Sequence, residues 1–100
     1  MDHPALEQHY LHLTNHTLPD AAAPHRWPVR LNHCFQRIIL DALFQDCWYH
    51  HLDRGKRTAA YRQLTDEQLQ RAVDLAQRML REPELLPKLN QQSLRYRGKG

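Results

Sequence analysis

His33, Arg37 and Asp41 are spaced i, i+4 and i+8 within residues 31–52, LNHCFQRIILDALFQDCWYHHL. On a helix they form a row along one side, and Trp48 approximately continues it. Cys34 lies beside the row. An imidazole, a guanidinium and a carboxylate in line can bind an anion or relay a proton. They can also be a structural Arg37–Asp41 ion pair on a partly covered face. His33, Cys34, Arg37, Asp41 and Trp48 are therefore the candidate ligand-binding set. No second carboxylate and no nucleophile–base spacing accompanies them, so catalytic residues are not assigned.

Other pairs could ligate a metal. Asp46–His50 and Cys47–His51 are i, i+4 pairs, and His9, His12 and His16 are spaced i, i+3, i+7. A structural zinc site needs about four ligands, usually in tighter motifs than these. The chain has no CxxC or HExxH. The three N-terminal histidines are thus weak metal candidates, and the motif content points to no cofactor. Facing solvent or a partner, such histidines would make surface contacts pH-dependent between about pH 5 and 7.

A third group is cationic. Arg54, Lys56, Arg57 and Arg62 surround Tyr61, and Arg95, Arg97 and Lys99 flank Tyr96. Arginines interleaved with aromatics suit an anionic partner or single-stranded nucleic acid, through charge and stacking. Residues 1–53 carry three Arg/Lys against six Asp/Glu, a net −3, whereas residues 54–100 carry eleven against five, a net +6. A basic half of this kind attracts phosphates or acidic surfaces.

These groups must be held by a small core. The chain has 100 residues, 41% of them apolar, enough for one domain. No strand-like alternation is present, so the expected fold is all-α, a small helical domain with two main helices and short helical turns. The first main helix spans about 29–52, with apolar residues from Leu31 to Leu52 and a stop at Asp53-Arg54-Gly55. The second spans about 66–81. Thr65 and Gln68 form its capping box, Leu64 and Leu69 its hydrophobic staple, and Pro83 its stop. Residues 83–94 predict one or two short turns. Residues 1–28 read as a short helix over about 4–13 and a Pro-rich linker, residues 29–94 as the helical domain, and 95–100 as a mobile basic tail.

Cys34 and Cys47, 13 residues apart in one helix, would lie about 20 Å from each other at 1.5 Å per residue, too far for a disulfide. Two reduced thiols point to the cytoplasm. No run of about 18 apolar residues suggests a membrane span, and residues 1–10 lack the pattern of a signal peptide.

Asn32-His33-Cys34-Phe35, Arg37-Ile38, Asp41 and Trp48, with Leu69, Ala72-Val73, Leu89-Asn90, Ser93-Leu94 and Arg97-Gly98-Lys99, resemble a group of small, largely uncharacterised bacterial proteins, some labelled acetyltransferase-like. The resemblance covers about residues 29–99. It implies a bacterial cytoplasmic origin and a compact helical unit. Acetyl-CoA chemistry of the common kind requires a mixed sheet and a glycine-rich pyrophosphate loop. This chain has three glycines, two of them in its last three residues.

The expected function is a binding or interaction module for an anionic ligand or protein partner, with a homodimer as one route to covering excess apolar surface. The alternatives are a nucleic-acid-binding protein and a small transferase-like enzyme using Asp41 or Cys34 with His33.

Overall fold

Helices account for every regular element among the described residues of this computed structural model, which describes residues 2–54 and 58–98. The all-α expectation holds. The elements are α1 (His3–His12), a π-helical turn (Leu13–Thr17), α2 (Leu18–His25), α3 (Asn32–Phe44), α4 (Asp66–Arg81) and α5 (Leu85–Tyr96). Two short 3-10 turns, Trp48–His50 and Ala60–Gln63, lie between α3 and α4.

The N-terminal segment is helical throughout rather than a short helix followed by a linker. The Asp2 carboxylate caps α1 by accepting from the Ala5 N–H at 2.9 Å, and Pro4 occupies the first turn, where no N–H is needed. Pro19 should break the run, because its ring clashes with the carbonyl four residues back. The π turn just upstream relieves this by widening the helix before the proline arrives. The chain therefore stays helical to His25, burying Leu6, Tyr10, Leu13, Thr14, Leu18 and Ala22. Arg26 then takes the left-handed conformation (φ 54°), while the Trp27 N–H bonds to the Ala22 carbonyl at 3.0 Å. This Schellman closure turns Trp27 into the core, where its indole N–H donates to the Pro83 carbonyl at 2.9 Å.

The first main helix is shorter than expected. It runs from Asn32 to Phe44 rather than through 52. Gln45 adopts φ 54°, its N–H bonds to Ala42, and the Asp46 N–H bonds back to the Asp41 carbonyl at 3.2 Å. This is again a Schellman closure, made by a glutamine instead of the usual glycine. Gly55, the expected stop, lies outside the described residues, as do Lys56, Arg57 and Lys99.

α4 matches its expected boundaries. Thr65 Oγ1 accepts from the Gln68 N–H at 3.1 Å, and Gln68 Oε1 accepts from the Thr65 N–H at 2.9 Å. Leu64 and Leu69, the two staple positions, are both buried. Glu82, restricted by the proline after it, leaves helical geometry and ends α4. The short turns expected over 83–94 are instead a twelve-residue helix that continues to Tyr96. Pro87 sits in its first turn, where a missing N–H costs little.

α1 lies along α4, and α3 packs against both α4 and α5. Phe35, Ile38, Ile39, Leu69, Ala76, Met79 and Leu86 are sealed between these layers.

Two features of α1 are testable. The Tyr10 hydroxyl is buried with no hydrogen-bond partner among the described residues, and burial pushes the phenol above its ordinary pKa of 10.0. An unsatisfied buried hydroxyl costs on the order of 1–3 kcal/mol. Tyr10→Phe should leave the melting temperature unchanged or raise it, whereas Tyr10→Ala should cost about 3–5 kcal/mol by emptying the ring site. A Tyr10→Phe protein that melts clearly lower would reveal a partner for the hydroxyl. His3 joins α1 to the start of α4. Its hydrogen bond to Asp66, with further help from Glu7, raises its pKa above the ordinary 6.5. Because the folded value is the higher, this contact contributes fully below pH 6.5 and is lost as pH rises through the folded value. Urea midpoints should fall across that window in the native chain. In His3→Gln that fall should be smaller.

Candidate functional site

Helices α3 and α5 present matching polar faces. On α3 these are Arg37 and Asp41, one turn apart. On α5 they are Asn90 and Ser93, on the stripe that Leu86 begins, and Arg97, just past the end of the helix, continues the same i, i+3, i+7 spacing. Leu86, Asn90 and Ser93 are buried, so the polar residues occupy positions where an amphipathic helix ordinarily carries leucine.

Asp41 is the centre. Its side chain is 0% exposed. Oδ2 accepts from Ser93 Oγ at 2.5 Å and from Arg97 Nε at 2.9 Å. Oδ1 accepts from Arg97 NH2 at 3.1 Å and from the backbone N–H of Trp48 at 2.9 Å. These four bonds use the capacity of a carboxylate. The fork-to-fork contact makes Arg97 and Asp41 a bidentate pair. Burial opposes the Arg97 charge, but its hydrogen bonds and attraction to Asp41 outweigh this and raise its pKa above the ordinary guanidinium value. Arg97, expected in a mobile anion-gripping tail, is therefore a structural partner, with its side chain only 12% exposed.

The sequence pairs Asp41 with Arg37. The structure links them through Ser93 instead. Arg37 NH1 donates to Ser93 Oγ at 2.7 Å, and NH2 donates to Asn90 Oδ1 at 2.8 Å. Both acceptors are neutral. Arg37 is half-buried, and among the described residues no carboxylate forms an ion pair with it.

Arg37 borders a cleft of about 220 Å³, together with His33, Gln36, Leu40, Trp48, Tyr49 and Ala60. Each wall has a local cause. His33 and Gln36 stand one turn and one residue before Arg37 on α3. Trp48 and Tyr49 arrive because the Asp41 carboxylate holds the Trp48 N–H and so fixes the turn after α3. Ala60 is brought in by a clip: the Gln63 side chain accepts from the Asp53 N–H at 2.8 Å and donates to the Asp53 carbonyl at 2.9 Å. The Trp48 and Tyr49 rings meet edge to face, 4.7 Å between centroids. Of the five candidate ligand residues, His33, Arg37 and Trp48 line this cleft. Asp41 lies beneath it, and Cys34 does not line it.

Tyr49 also borders a second hollow, with Cys47, His50, Arg54, Tyr96 and Arg97. The guanidinium carbons of Arg54 and Arg97 lie 4.0 and 4.5 Å from the Tyr49 ring centre. The remaining described members of the cationic set are dispersed. Arg62 lies over Tyr61, and Arg95 belongs to a hollow on the outer side of α5.

The metal candidates do not converge. The π turn changes the angular spacing, leaving His12 and His16 exposed with ring centres 5.5 Å apart, while His9 meets Gln77 of α4. Asp46 contacts both His50 and His51, at 3.1 and 3.2 Å. The His50 hydrogen bond, followed by the Cys47 N–H, lowers its carboxyl pKa. No group of three or more His, Cys, Asp or Glu is placed to share a metal ion among the described residues. Both cysteines are free thiols.

The sequence does not bring Asn90 and Ser93 to this site and assigns Arg97 to an anion-binding tail instead, because short turns and a mobile tail are expected there. The signal was present: a 3–4 spacing that continues the Leu86 stripe.

Removing the Asp41 carboxylate leaves a partly buried guanidinium uncompensated. Asp41→Leu should therefore cost about 3–5 kcal/mol in urea unfolding. The double variant Asp41→Leu/Arg97→Met should cost less than the two single losses combined, because it removes both charges. Strict additivity would disprove the pairing. No family model matches the chain, and no curated protein or solved structure matches it at a significant level.

Proposed function

We propose that this protein is a small non-enzymatic binding module, and that the cleft beside Arg37 receives a small anionic ligand, a carboxylate or phosphate. The observation that carries this reading is the state of Arg37. Its charge is half-buried and held in place by two neutral acceptors, and its side chain borders a cleft lined by no carboxylate. A partly desolvated cation without a counter-charge is costly. An anion from solution would offset that cost, and the planar guanidinium favours oxyanions. His33 at the exposed rim adds a donor and Gln36 keeps one amide N–H beyond the one it gives to Thr14, while Trp48, Tyr49 and Leu40 offer apolar surface to the rest of a small molecule. Ser93 and Asn90 pre-position the guanidinium, which lowers the ordering cost of binding.

The transferase-like reading is weaker on this geometry. Asp41 already accepts four hydrogen bonds and has no lone pair free to act as a base. The nucleic-acid reading retains the Arg54–Tyr49 stack, but Arg97 is neutralised by Asp41 and Arg95 faces elsewhere. Free thiols at Cys34 and Cys47 fit a reducing compartment, and we place the protein in the bacterial cytoplasm.

The test is a titration of the isotope-labelled protein with inorganic phosphate and with citrate, following the Arg37 Nε–H and Trp48 indole signals. Saturable shifts are expected at about millimolar concentrations, weakening with added salt. Arg37→Met should weaken binding by about tenfold or more, equivalent to about 1.4 kcal/mol. His33→Ala, at an exposed position, should weaken it less and keep the fold. Absence of saturation, or binding unchanged in both variants, would reject the reading.

A further inference from the structure

A second surface lies on the outer side of the helical layers and shares no lining residue with the Arg37 cleft. A groove of about 630 Å³ runs between α3, α4 and α5. Leu43, Leu75 and Leu89, one from each helix, form its apolar floor, all partly buried against the core. Arg71, Arg78 and Arg81 stand along its α4 side. Their spacing of seven and three residues keeps them on one face, with Leu75 between the first two. An adjoining hollow of about 510 Å³ shares Leu89 and Gln92 with the groove and adds Lys88 and Arg95 from α5. The two form one continuous track.

The charge along this track is one-sided. Five cations border it, against one carboxylate, Asp74, which accepts from Gln70. Arg78 is tied to Glu82 at 2.8 Å. Arg71, Arg81, Lys88 and Arg95 form no ion pair among the described residues. A cationic rim around a leucine floor is complementary to a segment with apolar side chains on one face and carboxylates beside them. The phosphate backbone of a nucleic acid would satisfy the rim but leave the leucines wet. From Arg71 to Arg81 the groove follows α4 for about 15 Å, the length of about three helical turns.

We propose that the α4–α5 track docks an acidic amphipathic helix of a partner protein. Its apolar stripe seats on Leu43, Leu75 and Leu89, and its carboxylates meet Arg71, Arg81, Lys88 and Arg95. This is helix-in-groove recognition, with charge setting orientation and approach rate. The proposal is independent of the Arg37 cleft.

The experiment uses the full chain, isotope-labelled, and a synthetic helical peptide of about 18 residues with leucines at i, i+4 and i+7 flanked by glutamates. Three comparisons accompany it: a scrambled peptide of the same composition, a short oligothymidylate, and sedimentation of the protein alone. The amphipathic peptide should shift the amides of Arg71, Leu75, Arg81 and Leu89, and the scramble should bind at least about tenfold more weakly. Arg71→Glu/Arg81→Glu, both at exposed positions, should reduce affinity by a similar factor and leave the melting curve unchanged. The proposal fails if the peptide does not bind, if both peptides bind alike, or if the shifts map elsewhere. It also fails if oligothymidylate binds the track more tightly than the peptide, or if the protein self-associates through it.

Discussion

A single carboxylate organises the C-terminal two-thirds of this chain. Asp41 has no exposure to water, so its charge survives only if every lone pair finds a donor and a counter-charge lies close by. The four donors come from three separate places: Trp48 from the turn after α3, Ser93 from α5, and both nitrogens of the Arg97 fork from beyond the end of α5. Satisfying Asp41 therefore sets the exit direction of α3, the rotation of α5 about its axis and the path of the chain after Tyr96. An apolar residue at position 41 could pack equally well, but it would impose none of these conditions.

The same requirement shapes the cleft. Once Arg97 has taken the Asp41 carboxylate, Arg37 can reach only Ser93 and Asn90. Ser93 Oγ donates its proton to Asp41 and accepts from Arg37, so one hydroxyl couples the two guanidiniums across the buried charge. The fixed Trp48 N–H places both Trp48 and Tyr49, and Tyr49 in turn lies beneath Arg97 and Arg54. The arrangement has more cation than anion at its centre. That asymmetry is the feature on which the proposed anion-binding reading rests.

Where sequence and structure agree, the controlling interactions are local. The capping box at Thr65 and Gln68, the Leu69-to-Met79 stripe and Pro83 all act within a few residues of one another, and α4 begins and ends where they require. Where they differ, the controlling interaction is distant or lacks its usual residue. α3 stops at a glutamine held in a left-handed conformation, and the compensating contact is the Trp48 N–H on Asp41, a tertiary bond invisible to periodicity. α5 was obscured by Pro83 and Pro87 and by the polar residues on its inner face. The π turn before Pro19 is a further case. Proline rules predicted a break, and a change of helical pitch upstream removed the clash without ending the helix. At the candidate site, His33 and Arg37 of the α3 row line one cleft, and Trp48 reaches the same cleft by a turn and not by helical register.

Arg37, Asp41, Trp48, Asn90, Ser93 and Arg97 form one connected network of hydrogen bonds. Neutralising Asp41 does not require both arginines, since Arg97 alone balances its charge. Arg37 is surplus to that task, yet two side chains of α5 are placed to hold its guanidinium steady. Positioning a cation that the core does not need, beside two aromatic rings and an imidazole, is the arrangement expected where an anion is to be bound. The track proposed for an acidic helix would serve a different kind of partner. Its cations are exposed and, apart from Arg78, unpaired among the described residues, suited to attraction across solvent, whereas Arg37 is held in one orientation by Ser93 and Asn90.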